Sequence, residues 1–198
     1  MKHLSILKKD KKLAPIVAQH KVYTLRVEKD LYFTLLRSIV SQQLSVKAAD
    51  TIFNRFLDLF PDQYPHAKLL VKMPVEKLRK AGLSQQKAGY LKNIAQFAQE
   101  FPMDFKTFKK MKDDEIIAHL TQIKGVGQWT VEMLLMFALG RKNVFPVNDL
   151  GIVNGMKKIY GLKTEGKALK TKCLELSKQW EPYRSYACLY IWAHKDNN

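Results

Sequence analysis

A glycine turn and a carboxylate offer most of the chemistry in this sequence. The segment Leu120-Thr-Gln-Ile-Lys-Gly-Val-Gly-Gln-Trp-Thr, running on to Leu139, predicts a helix, a tight hairpin and a second helix. Gly125 and Gly127 permit positive φ and, lacking a Cβ, let the backbone come close to another surface. Amides at the start of the helix expected from Thr130 would point at an anion, with Lys124 adding charge beside them. Such a turn also serves simply to pack two helices. Asp149 follows in Val144-Phe-Pro-Val-Asn-Asp-Leu-Gly-Ile, 20 residues after Trp129, a spacing that lets both face one cleft. It stands at the expected N-terminus of a helix, where the dipole and free amides stabilise negative charge. An Asp there is ordinarily an N-cap, but Asn148 beside it can take that role. The carboxylate would then be available to stabilise a cation or to handle water.

These groups need rigid elements behind them, and the pattern predicts helices almost throughout. Apolar residues recur at three- and four-residue spacing, as in Leu31, Leu35, Leu36 and Ile39. Helices are expected over 30–40, 45–59, 75–81, 84–100, 113–122, 130–139, 150–160, 165–178 and 183–193, with no stretch alternating as a strand. The fold class is therefore all-α. Phe60-Pro61-Asp62, Ala81-Gly82, Phe101-Pro102, Gly140-Arg141-Lys142-Asn143 and Trp180-Glu181-Pro182 supply the breaks. Lysines crowd Lys8 to Lys12 and Lys106 to Lys112, which reads as solvated surface.

Composition limits the partner. Across 198 residues there are 34 Lys and Arg against 18 Asp and Glu, a net charge of +16, which favours a polyanion such as nucleic acid. The longest apolar run, Met133 to Leu139, is far short of the roughly 20 residues of a membrane span, so a soluble protein is expected. The N-terminus has no extended apolar region and no small-residue cleavage site, which predicts an intracellular protein. Two cysteines, Cys173 and Cys188, cannot make a disulfide framework or a four-cysteine cluster, and both read as buried packing residues. His3, His20, His66, His119 and His194 show no metal-ligand spacing.

The run Ile-Lys-Gly-Val-Gly-Gln-Trp-Thr, followed at this interval by Phe-Pro-Val-Asn-Asp-Leu, resembles the hairpin, Gly/Pro-rich loop and catalytic Asp of the helix-hairpin-helix (HhH-GPD) DNA glycosylase superfamily. The branch it is most similar to is 3-methyladenine DNA glycosylase II. Three further stretches carry the likeness: Ile39-Val-Ser-Gln-Gln-Leu-Ser45, Ala81-Gly-Leu-Ser-Gln-Gln-Lys-Ala-Gly-Tyr-Leu91 and Trp180-Glu-Pro-Tyr-Arg-Ser-Tyr-Ala-Cys-Leu-Tyr-Ile-Trp192. The resemblance spans roughly residues 30 to 193 and implies one glycosylase domain over 1–198, built as two helical lobes with a cleft between them. At 198 residues a single-domain form without the N-terminal β-rich domain of the two-domain bacterial enzyme is expected.

What the resemblance implies is specific. Asp149 would be the catalytic carboxylate of a monofunctional enzyme that excises alkylated purines, of the 3-methyladenine and 7-methylguanine class, from duplex DNA. Lyase branches carry a lysine nucleophile where this chain has Trp129. Trp129, Trp192, Met133 and Gln42 would line the base pocket, and Gln43 with Leu44 would form the wedge that fills the gap left by the extruded base. Lys124, Gly125, Val126, Gly127, Gln128 and Thr130 would meet DNA phosphate. Met133 and Leu150 stand where that branch can carry aromatic residues, which implies a less aromatic pocket. Carbonyls of Thr121, Ile123 and Val126 could hold a structural Na+ or K+; no other cofactor and no iron–sulfur cluster is expected. The expected protein is a monomer without membrane attachment, cytoplasmic at the nucleoid if bacterial and nuclear if eukaryotic. Excision of other bases, such as hypoxanthine or uracil, stays open, as does a non-catalytic DNA-binding or damage-sensing module.

Overall fold

The computed structural model describes residues 1–196, and helices dominate it. In chain order they are α1 (Lys2–Leu7), α2 (Ala14–Gln19), α3 (Leu31–Ser41), α4 (Val46–Leu57), α5 (Ala67–Lys72), α6 (Val75–Lys80), α7 (Gln85–Glu100), α8 (Phe105–Lys109), α9 (Asp113–Leu120), α10 (Gln128–Phe137), α11 (Leu150–Tyr160), α12 (Gly166–Ser177) and α13 (Arg184–Asp196). A short 3-10 turn, Lys178–Trp180, precedes α13. The sole extended pairing among the described residues is an isolated bridge between Asp30 and Asp104. The all-α expectation holds.

The chain forms two compact units. One comprises residues 28–134; the other joins 1–27 to the chain from residue 135, so the boundary falls within α10. In the first unit, α3 and α7 form the central seam, with α4 and α5 packed beside them. Leu35, Leu36, Ile39 and Val40 of α3, with Leu91 and Ile94 of α7, are fully buried. Burying side chains of this size contributes about 1.5–3 kcal/mol each, which is why the i, i+4 stripe decides the direction in which α3 faces. Side-chain caps set the starts of these helices: Asp30 accepts from the Phe33 amide, Ser45 from Ala48, Ser84 from Lys87 and Asp104 from Thr107.

In the second unit α11 packs on α13. The two helices approach closely at Gly155, where a Cβ would come within 2.5 Å of the Ile191 side chain. Trp180 is fully buried, and its indole N–H donates to the buried Asp10 at 2.8 Å. Asp10 also accepts from the Tyr160 hydroxyl and from the amides of Lys12 and Leu13. The lysine-rich stretch Lys8–Lys12 thus has exposed lysines around an anchored acid, which composition alone reads as solvated surface throughout. Cys173 and Cys188 are buried thiols, as expected.

Four helices of five or six residues, α1, α2, α5 and α8, lie outside the expected set; apolar periodicity is weak over so few residues, and of the short helices α6 alone is expected, ahead of the Ala81-Gly82 break. The hairpin's second helix begins at Gln128, two residues before the expected Thr130, and α4 and α9 end two residues early. No helix among the described residues is long and apolar enough to cross a membrane.

Candidate active site

Asp149 is delivered by a loop that the start of α13 holds in place. Ser185, fully buried, donates from its hydroxyl to the Arg141 carbonyl at 2.7 Å and accepts from the Val144 amide at 2.9 Å. Its own amide donates to Lys142 at 3.0 Å. Arg184 forks onto the Asn143 carbonyl and side-chain oxygen at 2.9–3.2 Å. Val144 and Phe145 then turn into the core, and the Asp149 amide closes back on the Pro146 carbonyl at 2.9 Å.

That closure makes Asp149 itself the N-cap of α11. Its Oδ1 accepts from the Ile152 amide at 2.8 Å and from the Trp192 indole N–H at 3.0 Å. The expectation that Asn148 would cap instead is corrected, because the turn places Asp149 one residue before the helix. The Asn148 side chain accepts from Lys170 at 2.8 Å. Trp192 packs its ring against Phe137, centroids 5.9 Å apart, while its polar edge points at the carboxylate. The missing side chain of Gly151 leaves this approach open: a Cβ there would lie 3.0 Å from Asp149 Oδ1 and 3.1 Å from the indole. A carboxylate held by two donors on one oxygen has a fixed orientation, which suits stabilisation of a developing cation or direction of a water molecule. Leu150 beside it is largely exposed.

In the other unit the hairpin has two glycines with different reasons. Gly125 has φ +106°, and a Cβ there would fall 2.2 Å from the Tyr90 ring. Gly127 has an ordinary φ and open space around it, so the positive φ expected at both positions is used at one. The Lys124 carbonyl accepts from Asn93 at 3.0 Å, which ties the turn to α7. Lys124, Gly127, Gln128 and Trp129 are exposed. Gln128 reaches Glu132 one turn on, at 2.9 Å. Val126 and Thr130 are buried, and the Val126 amide is taken up by the Ile123 carbonyl, so neither side chain is presented to solvent. The Gln42 amide donates to the Thr130 hydroxyl at 3.2 Å, joining two residues that the sequence assigns to pocket and interface separately. Met133 is half-buried on the same helix.

The carbonyls of Thr121, Ile123 and Val126 belong to this turn. Ile123 O already accepts from the Val126 amide at 2.9 Å, and a carbonyl has a second lone pair. The donor set is all oxygen, which suits a monovalent cation. No cluster of three or more His, Cys, Asp or Glu that could hold a metal occurs among the described residues.

The Gln43–Leu44 turn stands exposed after α3. Gln43 is in the left-handed region, φ +58°, and Leu44 N–H closes on Ser41 O at 3.3 Å. Lys87 of α7 donates to the Val40 and Gln42 carbonyls, each at 2.7 Å. Burial pushes the Lys87 ammonium below the usual lysine range. Sequence reasoning missed Lys87, Gly151, Tyr90 and Ser185. Each lies inside or beside a quoted motif, but its part is a contact across the fold that spacing does not display.

Residues 36–182 match the HhH-GPD superfamily of base excision DNA repair proteins. The chain is 37% identical over 193 residues to DNA-3-methyladenine glycosylase 1 of Schizosaccharomyces pombe, covering 96% of this chain and 84% of that protein. It is 34% identical over 186 residues to a candidate DNA-3-methyladenine glycosylase of Bacillus subtilis, covering 91% of this chain but spanning only 64% of that relative's length. Among solved structures, the S. pombe 3-methyladenine DNA glycosylase in complex with abasic DNA superposes with a TM-score of 0.87 at 34% identity, covering 99% of this chain and 97% of that one. With the hairpin, the loop and the capped Asp149 in this order along one all-α chain, the protein belongs to the HhH-GPD superfamily of base excision DNA repair proteins.

Proposed function

We propose that this protein is a monofunctional DNA glycosylase that releases alkylated purines from duplex DNA and leaves an abasic site. Membership of a base-excision-repair superfamily supports the reaction class, and the names of the fission-yeast and Bacillus relatives support the substrate class. The observation that carries the residue assignment is Asp149 Oδ1, held between the Ile152 amide and the Trp192 indole.

In this mechanism the C1′–N bond of the damaged nucleotide breaks and the purine leaves with the bonding electron pair. An alkylated purine already carries positive charge, so it departs as a neutral base without a strong general acid. The sugar becomes oxocarbenium-like, and the fixed Asp149 carboxylate stabilises that charge electrostatically. Water then adds to C1′ and gives up a proton, with the carboxylate as its acceptor or director. Trp129, exposed in the first turn of α10, offers an aromatic face to a cationic base, a contact worth about 0.5–2 kcal/mol. The residue after Gly125-Val-Gly-Gln is this tryptophan, so no amine is present there to form a Schiff base and cut the strand. Exposed backbone at Gly127 and Gln128, beside Lys124, supplies the phosphate contact.

The test is base release from methylated duplex DNA by the protein and by Asp149→Asn. Asparagine is as good an N-cap as aspartate, so the fold is retained while the charge is lost. Expected are free alkylpurine from the parent protein only, with strand breaks appearing only after alkali. Breaks before alkali would contradict the monofunctional assignment, and equal release by both proteins would contradict the role of Asp149. Release of uracil or hypoxanthine but not methylated purines would move the substrate class.

A further inference from the structure

Lys87 takes no part in the chemistry above, yet it makes two polar contacts across its unit. It lies in the first turn of α7, and its ammonium spans 47 residues of sequence to reach Val40 and 45 to reach Gln42. Both acceptors are backbone carbonyls at the end of α3, where a helix leaves its last carbonyls without intrahelical partners. Two donors from one ammonium, each at 2.7 Å, satisfy that end and bracket the residues that lead into Gln43. A lysine at a helix C-terminus also meets the negative end of the dipole.

The turn that follows needs such support. Gln43 is one of two non-glycine residues with positive φ among the described residues, and nothing about a glutamine favours that conformation. The surroundings must impose it. They do so from three sides. Lys87 fixes the carbonyl just before Gln43, the Leu44 amide closes on Ser41, and the Gln42 side chain is tied to Thr130 at the start of α10. What is left outside is the Gln43 side chain, the partly exposed Leu44 and the largely exposed Val46, an uncharged run on a chain of +16. A protein that opens a stacked duplex must supply a rigid insert, because a soft one would yield before the stack does.

We propose that Lys87 is a positioning residue for base extrusion: it locks the end of α3 so that the strained Gln43–Leu44 turn enters the duplex as a rigid tip. This rests on the glycosylase reading and adds to it a residue that touches neither the base nor the phosphates. The lysine acts on the opening of the stack and leaves the breaking of the bond alone. Its effect therefore depends on how strongly pairing and stacking hold the target nucleotide in the duplex.

The experiment compares Lys87→Met with the parent protein on two substrates: an alkylated purine paired in a duplex, and the same lesion placed opposite a synthetic abasic site. Lys87→Met is expected to lose about tenfold or more of kcat/KM on the paired substrate and to stay within about twofold on the unpaired one. A 2-aminopurine reporter beside the lesion is expected to show reduced extrusion by the variant on the paired substrate only. Equal loss on both substrates, or no loss on the paired one, overturns the proposal. Should Lys87→Met fail to fold, Lys87→Gln, which keeps one donor group, is judged by the same ratio. The parent protein separates the two ideas: if it releases no base from either substrate the glycosylase reading fails, whereas release without the predicted ratio sinks the role of Lys87 alone.

Discussion

The indole N–H of Trp192 and the carboxylate of Asp149 are joined by a hydrogen bond of 3.0 Å, on the same oxygen that caps α11. A tryptophan near a base site is easily read as a stacking surface, but here its polar edge is turned toward the acid. Trp192→Phe keeps a ring beside Phe137 and removes the donor. A hydrogen bond to a charged group is worth about 1.5–3 kcal/mol, so the base-release rate is expected to fall by about tenfold or more. Single-turnover rates and DNA affinity, measured together, check this. A change in affinity with an unaltered rate would point to stacking on the base instead.

Gly151 separates stability from activity. Its backbone is helical, so Gly151→Ala restricts the unfolded chain by about 0.4–1 kcal/mol, a gain that the close contacts of the new Cβ offset. The same Cβ would lie 3.0–3.1 Å from both Asp149 Oδ1 and the Trp192 ring, and one of the two must move. The expected variant melts no lower than the parent and releases base more slowly. A variant with full activity would show that the Trp192–Asp149 approach tolerates a methyl group and is not a requirement.

The sequence displays those parts of this site that are local. The hairpin, the Pro-containing loop and Asp149 lie within 30 residues, and α11 is expected over the residues it occupies because its apolar face is a local signal, although the choice of cap between Asn148 and Asp149 depends on how the turn closes. Trp192 could be picked out as a residue, but its hydrogen bond could not, since it spans 43 residues of sequence. The glycine pair shows the same division. Its turn was legible, while the reason for Gly125, the face of Tyr90, depends on how α7 packs. Helices α1 and α2, six residues each, are too short to show apolar periodicity, and their anchor is not local either. What anchors the chain between them is the buried Asp10, and its partners Tyr160 and Trp180 lie 150 and 170 residues away.

Gly125 and Gly127 should respond to alanine in opposite ways. At Gly125 a Cβ meets both a positive φ and the Tyr90 ring at 2.2 Å, so Gly125→Ala is expected to cost at least about 2 kcal/mol of stability. Tyr90→Ala in the same chain should recover the steric part and leave the backbone part. At Gly127 a Cβ meets nothing within 4 Å, and stability should change by less than about 1 kcal/mol. On the proposed reading its methyl would stand where phosphate approaches, so DNA affinity is expected to drop. Thermal melts and binding titrations at fixed salt distinguish the two, and a Gly127→Ala variant with unchanged affinity would remove that glycine from the interface.

His3 gives the fold an acid-sensitive point. It is buried, stacked on Tyr186 at 4.1 Å, with its Nε2 lacking a hydrogen-bond partner among the described residues. Burial, then the nearby terminal ammonium and Lys142, push its pKa below the ordinary 6.5. The unfolded chain takes up a proton near pH 6.5, whereas the folded chain resists until a lower pH. Between those values the unfolded state binds more protons, so stability rises with pH across the window and is lost as pH falls through it. Below the folded pKa the loss is complete. Denaturation of the protein and of His3→Phe between pH 7.5 and 5 checks this: phenylalanine keeps the stack on Tyr186 and cannot take the proton. The parent should lose more stability than the variant over that range, and parallel curves would show that His3 is not the group responsible.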